Sequence, residues 1–366
     1  MSKYNILIMA QIKANRCREK TSRPNSTKLN IIHSKPVLGK LISTLFSLLP
    51  TLFISCTHEY NTIQDGSSIT VELKSIEPLR MSDHIDLFIF NDNSLMQIDS
   101  YQRVEGTSNG RVNLRSQNGE KRIFAYRNSS SRISDWYNLR SYWGLENIYT
   151  ELKYERSDAF TMSGEADAIA GSGKTYSLTL KPFVSEIFLR SIRCDFSGKP
   201  YEGLSIRNAR IYLINVNARC CLIYDEDTNP QEIINYGDLD EEMMSSFEEP
   251  GLLIQDIGII TQNTTRPNIC LYCYPNTCSE EGPGTPYTRL VIEGRVNGQT
   301  CWWPVNINRE SGSVQSGIHR NQRYIYDLTL RSMGSSGPDD PIEIEDIDID
   351  LTIESWKEKE DYSVEF

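Results

Sequence analysis

Apolar and polar residues alternate with period two through most of the chain beyond residue 67. Ile69, Val71 and Leu73 alternate with Thr70, Glu72 and Lys74, and Tyr176, Leu178 and Leu180 alternate with Ser177 and Thr179. The rhythm returns in Ile211-Tyr-Leu-Ile214, Ile269-Cys-Leu-Tyr-Cys-Tyr274, Leu290-Val-Ile-Glu293 and Tyr324-Ile-Tyr-Asp-Leu-Thr-Leu330. Successive side chains on a strand point to opposite faces, so these runs predict strands with one buried face. Asn109-Gly110, Asn118-Gly119 and Asn297-Gly298 are expected hairpin turns, because both residue types accept positive φ. Helix is expected only over 135–150 and 238–249, the latter equally readable as an acidic loop. The small-residue stretch Gly164–Gly173 reads as loose chain before the pattern restarts near residue 180. The prediction is an all-β chain of two tandem β-sandwich domains, 68–180 and 181–366.

Upstream of the strands the pattern changes. Residues 41–55, LISTLFSLLPTLFIS, form one uncharged apolar run after Lys35 and Lys40, and Cys56 follows directly. That run is shorter than the ~20 residues a spanning helix needs. A basic flank, an apolar run and a small residue before Cys are the layout of a lipoprotein signal, with Cys56 as the acylated residue. An uncut anchor helix is the other reading. Residues 56–67 are polar and suit a tether. The basic region upstream is longer than such a signal needs, so translation is expected to begin near Val37 or Leu38 rather than at Met1.

Charge sharpens this division. Residues 1–55 hold nine Lys/Arg against Glu19, a net of +8 in a chain of −11, so the remainder carries −19. A body so acidic repels phosphate backbones, which excludes nucleic acid as a partner. Candidate chemistry is sparse. Gly171-Ser-Gly-Lys-Thr175 resembles the end of a phosphate loop, but Ala168 stands where the motif needs Gly, and a turn before a strand explains it. His84 beside Asp83 has no nucleophile assignable to it, so no catalytic residue and no enzyme activity are expected. Seven cysteines follow Cys56: Cys194, Cys220, Cys221, Cys270, Cys273, Cys278 and Cys301. Cys270 and Cys273 lie three apart, on opposite faces of a strand, so a metal site is not expected and neither is a cofactor. In an exported protein some disulfide pairing is expected, with an odd thiol left over. Trp136, Tyr137, Tyr142 and Trp143 read as core aromatics more readily than as a binding platform.

The C-terminal pattern resembles the N-terminal one. Ile342 and Ile344 share one phase, Glu345-Asp346 shifts it, and Ile347, Ile349, Leu351 and Ile353 then share a face opposite Asp348, Asp350 and Glu354. Such a strand can fill a hydrophobic groove elsewhere while its charge discourages stray edge pairing. An ordinary closing strand of the second sandwich is the alternative.

Taken in order, several segments resemble the fimbrillins, the type V pilin superfamily of Bacteroidia. They are the Cys56 box, the strand ending in Pro78-Leu79-Arg80, Ile85-Asp-Leu-Phe-Ile-Phe90, Met162-Ser-Gly-Glu165 and LTLKPFVSEIFLRSI. Ile211-Tyr-Leu-Ile-Asn-Val216, Trp302-Trp-Pro-Val305 and His319-Arg-Asn-Gln-Arg-Tyr-Ile-Tyr-Asp-Leu-Thr-Leu330 continue the series, and the likeness covers nearly all of 56–366. The resemblance implies two transthyretin-like sandwiches in a fimbrial subunit lipoprotein of the outer membrane and cell surface. It implies cleavage between Arg80 and Met81 by a trypsin-like protease, loss of the strand bearing Ile69, Val71 and Leu73, and a donor segment 342–356 bearing Ile347, Ile349, Leu351 and Ile353. The implied partners are other fimbrial subunits, the protease, the outer membrane through the lipid, and a host surface or other bacteria. The seven body cysteines and vicinal Cys220-Cys221 depart from a shaft subunit and leave a tip or anchor subunit open, as does a standalone glycan- or protein-binding surface lipoprotein.

Overall fold

The computed structural model describes residues 67–106, 110–131, 133–223, 229–309, 316–342 and 346–356. The signal run, Cys56, the suggested start, Asn109 and Ile344 lie outside them. The first part of the described chain carries β1 (Ser67–Ser75), β2 (His84–Asn91), β3 (Ile98–Glu105), β4 (Arg111–Ser116), β5 (Gly119–Arg127), β6 (Tyr149–Glu151), β7 (Met162–Ala170) and β8 (Thr175–Pro182). The rest carries β9 (Ser185–Cys194), β10 (Ile206–Ile214), β11 (Val216–Asn217), β12 (Arg219–Cys221), β13 (Ile233–Ile234) and β14 (Ile254–Ile260). Then follow β15 (Ile269–Cys273), β16 (Arg289–Val296), β17 (Gln299–Asn306), β18 (Gln322–Leu330) and β19 (Ile347–Ser355). The fold is all-β.

Seven strands form one sheet in the order β3-β2-β5-β7-β8-β1-β4. It turns a corner where β7 meets β8 through only Met162↔Pro182 and Ser163↔Lys181. Its two ends approach each other: the Ser100 hydroxyl donates to Arg115 O (2.7 Å) and the Ser116 hydroxyl to Asp99 Oδ2 (2.7 Å). The core lies between the two halves of this curled sheet, where Ile69, Val71, Phe88, Phe124 and Leu178 are buried. Two four-stranded sheets, β14-β10-β16-β17 and β15-β9-β18-β19, follow from residue 185 onward. Their core includes Leu189, Ile211, Ile292, Trp303 and Leu328. The β6–β12 pair joins the two parts of the chain, and Trp356 packs on Phe160 and Tyr272 with ring centroids 5.7 and 5.8 Å away.

Several local expectations need correction. Residues 135–150 form two 3-10 helices, Ile133–Asn138 and Tyr142–Asn147, and the acidic stretch gives only one turn, Glu241–Met244, capped by Asp240. Gly164–Gly173 is not loose: β7 runs through it and pairs with β5 from Met162 to Ala170. Gly164 is there because any Cβ would lie 2.2 Å from Thr179 O. Asn297-Gly298 is a true hairpin turn, with φ of 50° and 86° between paired β16 and β17. Asn118-Gly119 is not, because β4 pairs with β1 while β5 pairs with β2 and β7.

Candidate functional site

β1 occupies an interior slot. It pairs antiparallel with β4 from Ser67↔Ser116 to Glu72↔Arg111, and parallel with β8 from Thr70↔Thr175 to Ser75↔Leu180. Ile69, Val71 and Leu73 are all buried. Burying three such side chains contributes roughly 5–9 kcal/mol before the cost of ordering the strand. β4 has no other ladder among the named strands, so without β1 the sheet would open between β4 and β8.

The connector from β1 to β2 carries Arg80. Its side chain and Met81 (74% exposed) face solvent, with Arg80 3.7 Å from Asp158. Its backbone is held in a turn at both ends by Asp83: the Arg80 N–H donates to Asp83 Oδ2 (2.6 Å), and the Asp83 N–H donates to Arg80 O (3.1 Å). The Asp83 carboxylate is buried against Arg127, at 2.7 Å from Nη2. Arg127 also donates to Pro78 O (3.0 Å), Glu77 O (3.3 Å) and Ser75 Oγ (2.9 Å). One buried guanidinium thus binds the chain on both sides of the Arg80–Met81 bond. Sequence reasoning missed this pair. The available signal was an arginine closing the unbroken apolar run Ile123–Tyr126, a run that marks a strand buried on both faces.

β19 lies on the edge of its own sheet, antiparallel to β18 from Leu330↔Ile347 to Gln322↔Ser355. Its apolar face is incompletely covered. Ile347 is buried, Ile349 and Leu351 are half-buried, and Ile353 is 44% exposed. Asp348 bonds Arg331 from the other face, while Asp350 and Glu354 are exposed.

Elsewhere, Glu155 is fully buried at the join between the two parts. It accepts from Thr161 N (2.9 Å) and from Tyr274 Oη (2.7 Å), which lies 3.0 Å from Thr150 Oγ1. Burial outweighs these bonds and pushes its carboxyl up to about 7. The expected disulfides are not formed: all seven cysteines are free, Cys221 and Cys270 half-buried and the rest buried. Cys270 and Cys273 face opposite sides of β15, and Cys220 and Cys221 direct their thiols to different carbonyls. Among the described residues no group of His, Cys, Asp or Glu is arranged to hold a metal. The His84 ring bonds Ser129 O (2.8 Å). Of the four aromatics, Trp136 and Tyr142 are core, and Tyr137 and Trp143 are exposed.

No protein-family model matches the sequence, and no curated protein does. Solved structures do match. A protein of Bacteroides eggerthii assigned to cell adhesion superposes with a TM-score of 0.60 at 14% identity, covering 80% of this chain and 96% of its own. A fimbrilin of Porphyromonas gingivalis gives 0.57 at 13%, over 80% and 98%. A C-terminally truncated tip fimbrial protein of the same species gives 0.50 at 10%, over 80% and 100%.

Proposed function

We propose that this chain, whose fold is the fimbrillin fold, is a structural subunit of a cell-surface fimbria that supports adhesion. It is exported as an outer-membrane lipoprotein on Cys56, cut between Arg80 and Met81 by a trypsin-like protease, and assembled by strand exchange. The observation that carries this reading is the position of β1: an interior strand, laddered on both edges, joined to the body by a connector that exposes Arg80. Cutting there makes β1 a separate peptide. Its departure leaves unpaired backbone on β4 and β8 and an open apolar slot, both of which an incoming strand satisfies. The uncut precursor has no such slot and cannot polymerise early. The likeness of the whole fold to a fimbrilin and to a tip fimbrial protein supports the same reading. Segment 342–356 is the donor, through Ile347, Ile349, Leu351 and Ile353.

A second reading keeps the lipid and makes the chain an anchor or tip subunit, or a standalone surface lipoprotein binding glycan or protein. The exposed Tyr137 and Trp143 favour it. Replacing Arg80 with Ala separates the two. For an assembled subunit, the R80A chain stays full-length, tethered and absent from fibres. Incorporation of uncut R80A chains into fibres would refute strand exchange at β1.

A further inference from the structure

Lys121 stands on the side of β5 that also carries Ile123 and Ala125, and its side chain is only 1% exposed. A lysine is almost never buried so deeply without a partner. Two groups meet its Nζ there: Asn91 Oδ1 at 2.5 Å and Asp99 Oδ2 at 3.2 Å. We propose that these three residues form a self-modification site. Lys121 Nζ condenses with the side-chain amide of Asn91, Asp99 carries the protons, and a covalent amide bridge between β2 and β5 remains. The inference is independent of strand exchange and draws on no partner.

Three observations carry this. First, Asn91 and Lys121 are the last rung of the β2–β5 ladder, so the amide and the amine are held face to face by two paired strands. With Nζ in contact with Oδ1, the electrophilic Cγ is one C=O bond further, close to the about 3–3.5 Å between reacting atoms in a near-attack arrangement. Second, Asp99 is aimed by a bulge. β3 pairs Ser100 with Ile89 and then Ile98 with Phe90, so Asp99 is the extra residue, and a bulge redirects its side chain. The Ser116 hydroxyl (2.7 Å) and the Gln117 N–H (3.0 Å) donate to its Oδ2 and fix it beside Nζ. Third, the site is dry at the amine and open at the exit. The Asp99 side chain is 4% exposed, whereas Asn91 is half-buried and leads into the exposed residues 92–95. Water is kept from competing with the amine, and the leaving group has a way out. A plain buried ion pair requires only Asp99; the carbonyl set against Nζ adds an electrophile to it.

The reaction balances without an oxidant or a second reactant. Asp99 takes one proton from the Lys121 ammonium, and the freed lone pair of Nζ forms a bond to Asn91 Cγ while the carbonyl pair moves onto Oδ1. Asp99 hands its proton to Nδ2 and receives a second proton from Nζ. The pair on Oδ1 then restores the C=O bond, the Cγ–Nδ2 bond breaks, and ammonia departs, taking the last proton from Asp99 as ammonium. The ammonium and the primary amide have become a secondary amide and an ammonium ion, and Asp99 ends as it began. Each chain reacts once. The bridge closes a loop from residue 91 to residue 121 and constrains the unfolded chain as a disulfide does, but no reductant opens it.

The test is mass spectrometry of the folded full chain after unfolding, reduction and complete trypsin digestion. Trypsin does not cut after an acylated lysine, so the expected product is one branched peptide, 81–103 joined to 116–122. Its mass is lower than the sum of its parts, joined without loss, by about 17 Da, the ammonia expelled. It should exceed the free peptide 116–121 at least tenfold. Asn91→Ala keeps the Lys121–Asp99 pair but removes the electrophile, and should give only the free peptides. Asp99→Asn keeps the shape but cannot carry the proton, and should lower the branched peptide at least a hundredfold while the chain still melts cooperatively. Free 81–103 and 116–121 from the wild-type chain overturn the proposal. So does a loss of ammonia without a branch, as cyclisation at Asn118-Gly119 would give. A folded Asp99→Asn chain that bridges as fully as the wild type overturns the role of Asp99.

Discussion

Arg127 Nη2 lies 2.7 Å from Asp83 Oδ2, and both side chains are buried. The same carboxylate accepts the Arg80 N–H, so the turn around the Arg80–Met81 bond and the buried ion pair are one structure. A protease binds its substrate extended, so this turn has to open before cleavage.

Asp83→Asn is therefore predicted to speed trypsin cleavage after Arg80 several-fold. It also leaves Arg127 as an uncompensated buried charge, at a cost of about 3–5 kcal/mol in the precursor. Timed proteolysis with N-terminal sequencing, and denaturant unfolding of the uncut chain, check the two effects. An unchanged cleavage rate would show that Asp83 does not hold the turn.

A second prediction concerns pH. Burial raises the Glu155 carboxyl to about 7 from its ordinary 4.5, so the folded state binds a proton the unfolded state has already released. The group favours folding fully below pH 4.5, and that advantage is lost as pH rises toward 7. The swing is on the order of 3 kcal/mol. Glu155→Gln should remove it. The amide oxygen can accept from Thr161 N and the amide nitrogen can donate to Tyr274, whose proton turns to Thr150. Melting temperature measured from pH 4.5 to 7.5 should fall less steeply in the variant than in the parent. Equal slopes would contradict the assignment.

Thiol reactivity gives a third. Cys221 and Cys270 are half-buried, whereas Cys220 and Cys273 lie deep, where burial pushes their thiols up to about 12. A thiolate is the reactive species, so an alkylating reagent at pH 8 should modify Cys221 first. Cys270, though half-buried, is also pushed up to about 12 by burial and the Glu186 carboxylate beside it, and should lag behind Cys221. Cys220 and Cys273 should react only on unfolding, by at least a hundredfold slower kinetics in the native protein. Peptide mapping after a short pulse reads this directly. Recovery of any bridged pair from unreduced protein would contradict the free-thiol arrangement.

The strands were readable in the sequence where one face is buried and the other wet, as in β1 and β8, because burial then imposes the period of two. Asn297-Gly298 was readable because both residues adopt the positive φ that their types favour. Asn118-Gly119 has the same letters, yet which strands a turn joins depends on long-range pairing that local chemistry does not encode. Residues 135–150 carry aromatics at helix-like spacing but pack as two short 3-10 turns over Phe88, Phe90 and Tyr126. The Arg80 connector came into view through the resemblance to the fimbrillins, not through composition or periodicity. Its control did not, because Arg127 meets Asp83 and Ser75 across 44 and 52 residues of chain. The free state of the cysteines was equally hidden, since burial and facing are properties of the assembled sheets.

The central claim is exchange of β1 for a donor strand, and polymer formation by cut chains with and without residues 342–366 tests it most directly. Purified protein cut after Arg80 should lose the β1 peptide and grow into fibres seen by electron microscopy and sedimentation. The same protein lacking 342–366 should stay soluble and folded, release β1 no faster, and form no fibres. Adding it to intact cut chains should cap growth, because it offers a slot but no donor. Fibres formed by the truncated chain, or cut chains that keep β1 bound and remain monomeric, would contradict the account.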